Sequence, residues 1–308
     1  MVTFFGGGFS DPSAGGRLSG VSGNFIYGLD VETGAIVFKA LVEGMVPGDV
    51  QLLDVDSDGF VEALFFGTTA GKVYRVDLEA PGVLGGDNGR VESWRPRVVL
   101  AAGPHQPFFM RPTLVPAWVD PEGAVAIAVL IGSGNRDDLL EKNEEPHRFY
   151  AFVPLRGGSL GEDDLVALTP GSAEMGVPLL GQGGAAGWYL ELDSPGSGGQ
   201  WEKVVTPALA FEGTIVFSTF SLAGGGDTGC GSGGVAKTYR CRLLNGDPLP
   251  GEERFEISSE STVFAGDPQL VTDGEGNIRV FQVSDDLKLK EPLSPSPLRV
   301  DLVDWREE

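Results

Sequence analysis

Short runs of β-branched and aromatic residues alternate along the chain with clusters of Gly, Pro, Asp and Ser, the pattern of strands separated by tight turns. The runs include VTFFGG from Val2, NFIYGLDV from Asn24, EALFFGT from Glu62, GKVYRVDL from Gly71, AVAIAVLIGSG from Ala124, HRFYAFVPL from His147, TIVFSTF from Thr214 and NIRVFQV from Asn277. No segment longer than about ten residues keeps a helical period without a breaker. The pattern predicts an all-β protein.

The runs are not independent. One unit recurs: a first strand, a polar turn, an apolar strand ending in Gly, a variable loop, then a strand of the form x-Tyr-x-x-Asp and a further turn. One copy reads VQLLDVDSDGFVEALFFGTTAGKVYRVDLEAPG, from Val50 to Gly82. A second opens with RPTLVPAWVDPEGAVAIAVLIGSG from Arg111 and closes with HRFYAFVPLRGG at Gly158. A third opens with KVVTPALAFEGTIVFSTF from Lys203 and closes with KTYRCRLLNG at Gly246. DPQLVTDGEGNIRVFQVS, from Asp267 to Ser284, reads as a further opening hairpin, whereas VTFFGGG and NFIYGLDVETGAIVFKA read as the later strands of a unit whose opening is missing. Three or four strands per unit, repeated at roughly 45 to 90 residues, predict a modified β-propeller with an incomplete set of about four or five blades. The strands that open and close the chain are expected to combine in one split blade. A β-sandwich of unrelated strands is the competing fold, but it gives no reason for opening and closing motifs to repeat in order.

Composition agrees with this picture and narrows the function. The 308 residues include 47 glycines and 21 prolines, which disfavours helices, while 41% hydrophobic residues supply a packed core. The net charge of −22 repels phosphate backbones and anionic headgroups, so no nucleic-acid partner is expected. No apolar run of about 18 residues occurs, so no transmembrane segment is expected, and MVTFFGGGFS lacks the basic start of an export signal.

The strongest chemical signal is Asp54-Val55-Asp56-Ser57-Asp58-Gly59-Phe60-Val61-Glu62. Oxygens at positions 1, 3 and 5 of such a loop converge on one cation, Gly at 6 permits the reversal, the carbonyl at 7 adds a ligand and an acid at 9 closes the shell. Those roles fall to Asp54, Asp56, Asp58, the Phe60 carbonyl and Glu62. All-oxygen ligation favours Ca²⁺ over zinc or copper. Position 12, the last EF-hand ligand, is Phe65, so the loop is EF-hand-like but set between strands. An acidic turn with solvated carboxylates is the alternative.

Other motifs carry less chemistry. In the turn from Tyr27 to Phe38, Asp30 and Thr33 are expected to hydrogen-bond the backbone, Gly34 to supply a positive φ, and Phe38 to pack on the neighbouring blade. Cys230 and Cys241 flank a span short enough for a hairpin; a disulfide and a pair of buried thiols are both open readings. His105 and His147 are isolated, and no serine sits in a Gly-x-Ser-x-Gly elbow, so no catalytic residue is assigned. Asp137, Asp138, Glu141, Glu144 and Glu145 read as a solvated acidic loop, with a weak cation site as the outside reading. Trp118, Trp188, Tyr189 and Trp201 are expected in the core rather than on a sugar-binding face.

The stretch DVDSDGFVEALFFGTTAGKVYRVDL resembles the calcium-loop signature of the C-terminal propeller in PilY-type type IV pilus biogenesis and adhesion proteins. NFIYGLDVETG, GSGNRDDL through HRFYAFV, GWYLEL followed by KVVTPALAFEGTIVFSTF, and the ending DWREE from Asp304 are similar to further family segments. Glu62 stands where the family has Asp, and Thr68 where it tends to have Asp. The resemblance implies a non-enzymatic, quinoprotein-like propeller at a pilus tip or outer-membrane surface. It implies Ca²⁺ as cofactor, held by Asp54, Asp56, Asp58, Phe60 and Glu62, and a role in pilus extension and retraction, twitching motility and adhesion. Pilin, minor pilins and a host or surface receptor are the implied partners. It further implies that residues 1–308 form one propeller domain lacking the family's first blades and its N-terminal adhesive region. Two other classes compete: a quinone-cofactor dehydrogenase, which typically has adjacent cysteines where this chain separates Cys230 from Cys241, and a lectin-like sugar-binding propeller.

Overall fold

The computed structural model describes residues 1–10, 22–55, 57–78, 91–119, 125–141, 143–181, 186–193, 201–222, 234–259, 266–272 and 278–281. Among these, the regular elements are strands, and the only helices are three-residue 3₁₀ turns at Val91–Ser93 and Glu162–Asp164. Among the described residues no helix is long and apolar enough to cross a membrane.

The strands form successive antiparallel meanders. The first sheet holds β1 (Val2–Gly6), β2 (Phe25–Asp30) and β3 (Ile36–Leu41) in that order. The second runs β4 (Gln51–Leu53), β5 (Ala63–Gly67), β6 (Lys72–Asp77) and β7 (Pro96–Ala101). The third runs β8 (Thr113–Val119), β9 (Val125–Gly132), β10 (Arg148–Phe152) and then β13 (Gly187–Glu191). Between β10 and β13 the chain adds two short strands, β11 (Leu160–Gly161) and β12 (Val166–Leu168). They lie parallel on the outer edges of β7 and β13, giving both sheets a fifth strand. In the fourth sheet, β14 (Lys203–Val204) and β15 (Leu209–Phe211) both pair with β16 (Thr214–Leu222), which is followed by β17 (Gly234–Arg242) and β18 (Phe255–Ser259). Pro207, with no N–H to give the ladder, falls in the break between β14 and β15.

The sheets stack as the blades of a modified β-propeller, and the packing follows from strand alternation. In β5, Leu64 and Phe66 join Ile26, Phe38 and Tyr74 in the core between the first and second blades. Ala63 and Phe65 face the other way, joining Val129, Ile131, Tyr150 and Phe152 between the second and third. In β9 and β10, the alternate residues Leu130, Phe149 and Ala151 pack with Ile215, Phe217 and Tyr239 between the third and fourth. Both faces of β5 and of the second half of β9 are covered, so these strands read as unbroken apolar runs. The Gly that ends β9 has a packing reason: a Cβ on Gly132 would lie 2.4 Å from Val204 Cγ2.

The expected split blade is not found among the described residues. β19 (Gln269–Thr272) pairs only with β20 (Ile278–Phe281), and β1 pairs only with β2. The turn chemistry that marks hairpins is local, whereas closure between distant strands leaves no such mark in sequence.

The interface between the third and fourth blades centres on a ring stack. Phe217 lies between Phe149, at a centroid distance of 3.9 Å, and Tyr239, at 4.9 Å, with interplanar angles of 3° and 4°. Phe217→Ala should lower the unfolding free energy by about 3–5 kcal/mol in urea denaturation, whereas Ile257→Ala, at a position 54 % exposed, should change it by no more than about 0.5 kcal/mol.

Candidate metal centre

The acidic loop 54–62 is held by the strands on either side of it. β4 and β5 pair antiparallel with Leu53 opposite Ala63, and the Glu62 N–H donates to the Leu53 carbonyl at 2.9 Å. Within the loop, Ser57 (φ 61°) and Gly59 (φ 86°) both take left-handed backbone, which reverses the chain. The Gly59 N–H donates to Asp54 Oδ2 at 3.0 Å, the Phe60 N–H to Asp58 Oδ1 at 2.8 Å, and the Val55 N–H to Glu62 Oε2 at 2.7 Å.

These bonds aim the carboxylates at one another. One oxygen each from Asp54, Asp58 and Glu62 lies within 4.8 Å of the other two. Two oxygens bound to one Ca²⁺ at about 2.4 Å sit at most about 4.8 Å apart, so the set fits a shared ion. Asp54 Oδ1 is buried and has no hydrogen-bond partner. A shielded carboxylate oxygen without a donor is costly unless a cation meets it. Of the expected ligands, Asp56 lies outside the described residues, and Phe60 sits in the loop with its side chain 51 % exposed. Phe65, at the EF-hand's twelfth position, lies in β5 and is buried.

The turn at 30–35 has a structural geometry. The Glu32 N–H donates to Asp30 Oδ1 at 2.9 Å, and the Ala35 N–H to Thr33 Oγ1 at 3.3 Å. Gly34 (φ 72°) donates its N–H to the Asp30 carbonyl at 2.8 Å. The Glu32 N–H and then the Thr33 hydroxyl hold the Asp30 carboxyl below its ordinary pKa. Phe38 packs edge-on against Trp94 of the neighbouring blade, centroids 5.5 Å apart.

Cys241 is a free thiol, fully buried in β17, and burial pushes its pKa up to about 12. Cys230 lies outside the described residues, as do the DWREE ending and the Trp118 side chain. Trp188 is a core residue with no exposed surface; Trp201 donates its indole N–H to the Asn143 carbonyl at 2.7 Å.

Sequence reading treated His147 as an isolated residue. It is 2 % exposed, and neither ring nitrogen has a hydrogen-bond partner. Burial, reinforced by the charges of Lys203 and Arg148, lowers its pKa to about 3. No sequence signal marks it, because its surroundings come from distant segments.

The described strands thus form a β-propeller in which Asp54, Asp58 and Glu62 cluster between β4 and β5. No family model matches the chain, and no curated protein matches it. Among solved structures it is similar to the C-terminal domain of PilY1 from Pseudomonas aeruginosa, with a TM-score of 0.64 and 18% identity over 96% of this chain and 69% of that one. A second similarity, to BamB from Moraxella catarrhalis, has a TM-score of 0.26 and 11% identity over 89% of this chain and 82% of the other. The chain thus shares the fold of the PilY1 C-terminal domain.

His147 makes stability depend on pH. Its folded pKa of about 3 lies below the ordinary 6.5, so the unfolded chain takes up the proton first as pH falls. The neutral ring's contribution is complete above pH 6.5 and is lost progressively towards pH 3. Urea midpoints measured across this range should fall more steeply for the wild type than for His147→Gln.

Proposed function

We propose that this chain is the calcium-binding propeller of a PilY-type type IV pilus biogenesis and adhesion protein, acting as a binding and regulatory module without enzymatic activity. The observation that carries the reading is the convergence of Asp54, Asp58 and Glu62 around the unpartnered Asp54 Oδ1. The fold shared with the PilY1 C-terminal domain supports the family assignment. Asp56 and the Phe60 carbonyl complete the ligand set by their places in the loop.

The mechanism is electrostatic. Clustered carboxylates repel one another, and a divalent cation between them replaces repulsion with attraction. The gain is realised only if the loop keeps its ligands together, so the ion locks a loop whose carboxylates backbone N–H groups already orient beside the β4–β5 ladder. Leu52, Val55 and Phe60 are 41 %, 47 % and 51 % exposed beside this loop, so ordering it presents a defined surface. In this reading the surface meets pilin, minor pilins or a host receptor outside the cell, and its calcium state biases pilus extension against retraction.

Calorimetric titration should show Ca²⁺ binding to the wild type in the micromolar to millimolar range and a loss of about tenfold or more in Asp58→Ala. Ca²⁺ at about 100 times its Kd should raise the unfolding free energy by about 2.7 kcal/mol in the wild type and far less in the variant. Identical binding by both proteins, or binding by neither, would overturn the metal assignment. With the variant loop in the full-length protein, surface pili and twitching should decrease; unchanged piliation would remove the regulatory role while leaving the fold.

A further inference from the structure

β3 is the outer strand of the first blade, and among the described residues it pairs with β2 alone. The Val42 N–H donates to the Asn24 carbonyl at 2.9 Å, and opposed pairs along an antiparallel ladder alternate between bonded and unbonded. Ala40 and Phe38, opposite Ile26 and Gly28, therefore turn their main-chain groups towards β2, whereas Lys39 and Leu41 turn theirs outward. No hydrogen bond from a described residue reaches those outward groups.

The outer strands of the next two blades are covered on the same edge. β7 carries β11 and β13 carries β12, each a short parallel strand. Glu162, Asp163 and Asp164 lie between these two added strands, following β11 directly and preceding β12 by one residue. The fold thus shows the kind of segment its outer strands accept: short, extended and flanked by acids.

Beside the bare edge of β3 runs a groove of about 1140 Å³, with Ile36 to Leu41 along one wall and Val91, Trp94, Arg95 and Pro96 along the other. Trp94 holds the second wall in place, with its ring 5.9 Å from that of Phe4 and 5.5 Å from that of Phe38. Ile36, Val37 and Leu41 are exposed large apolar side chains on the strand itself.

The charge of the groove is opposite to that of the protein. In a chain with 44 acidic and 22 basic residues, no acid lines it and two bases do, Lys39 and Arg95. Neither has an ion-pair partner among the described residues. Lys39 Nζ lies over the Phe25 ring, 4.2 Å from its centroid, and Arg95 Nη1 donates to the Trp94 carbonyl at 2.8 Å. A lysine on an edge strand ordinarily deters pairing through its charge. Towards an acidic strand the same charge attracts. A second copy of this chain is disfavoured, because it would set another Lys39 and Arg95 against the first pair and bring together two molecules of charge −22.

We propose that the outer edge of β3 docks an extended acidic segment of a partner protein, which adds to the first blade as a further strand. Its main chain pairs with the outward groups of Lys39 and Leu41, and its apolar side chains cover Ile36 and Leu41. Adjacent acids on a strand point to opposite faces, so one meets Lys39 and its neighbour meets Arg95 on the side of Trp94. The site does not depend on the calcium loop.

Fluorescence anisotropy with the whole chain tests this with three labelled peptide probes. The first is Ac-Thr-Val-Thr-Val-Glu-Asp-Thr-NH2, the second has Lys-Lys in place of Glu-Asp, and the third is the acidic peptide with alternate amides N-methylated, which blocks strand pairing. The acidic probe should bind with a Kd of about 1 mM or tighter, and the other two about tenfold or more weaker. Net charge alone favours the lysine probe, so the opposite preference isolates the groove. Bound acidic probe should also slow amide hydrogen exchange at Lys39 and Leu41 about tenfold or more. Arg95→Gln, at an exposed position, should weaken binding about threefold to tenfold. Leu41→Pro removes an outward N–H while sparing the ladder to β2, and should weaken binding about tenfold. If Leu41→Pro does not fold, Arg95→Gln and the exchange measurement decide the matter. The proposal is overturned if the acidic probe does not bind, if either control binds as tightly, or if both variants bind it unchanged. It is equally overturned if sedimentation shows the chain self-associating in a way that Leu41→Pro abolishes, which makes a second copy the occupant.

Discussion

The constraint on which the rest of the structure depends is that a propeller blade has no solvent face along its inner strands. Neighbouring residues in one strand must satisfy different neighbouring blades. Phe65 packs towards the third blade and Phe66 towards the first, and Phe149 and Tyr150 divide in the same way. A polar residue in β5 or the second half of β9 would be buried whichever way the register fell, and there the sequence is apolar without alternation. Chemistry is displaced to the strand ends, where the chain leaves the stack and its polar groups reach water.

β5 shows the consequence at both ends. At its start, the ladder between Leu53 and Ala63 fixes the feet of the acidic loop, and backbone N–H groups orient the carboxylates before any ion arrives. Less ordering is left for binding itself, which is the physical advantage of preorganisation. At the other end, the loops leaving β1, β5 and β9 meet around a cavity whose acidic loop is braced by Asn135 and Lys203. One strand thus carries the carboxylate cluster of Asp54, Asp58 and Glu62 at its start and a polar cavity at its end.

What was legible in sequence follows from the range of the interactions involved. β5 and β9 stand out because each makes a continuous apolar run that ends in glycine. The turn at Asp30, Thr33 and Gly34 and the cluster of Asp54, Asp58 and Glu62 are local, so spacing alone suffices to bring their residues together. β11 and β12 are two and three residues long and exist only because they lie on the edges of β7 and β13, so no periodicity reveals them. Nothing local marks the burial of His147, whose ring lies beside the distant Lys203, whereas Asp137, Asp138 and Glu141 are exposed, as a solvated acidic loop requires.

Charge connects the two ends. With 22 basic residues against 44 acidic ones, no more than half of the carboxylates can be matched one to one. Several of the cations are committed within the blades: Arg75 and Arg97 to Asp77, Arg148 to Glu162, and Lys237 to the buried Glu202. The buried Lys237–Glu202 pair is costly to break, whereas the half-exposed pairs on Asp77 contribute little to stability. The acids left over therefore gather where water can solvate them, at the loops between strands. Where geometry draws such a loop together, solvation is partly lost and repulsion grows, and a mobile cation becomes the cheapest remedy. The excess negative charge that argues against a nucleic-acid partner thus also supports the proposed reading of the acidic loop between β4 and β5 as a cation site.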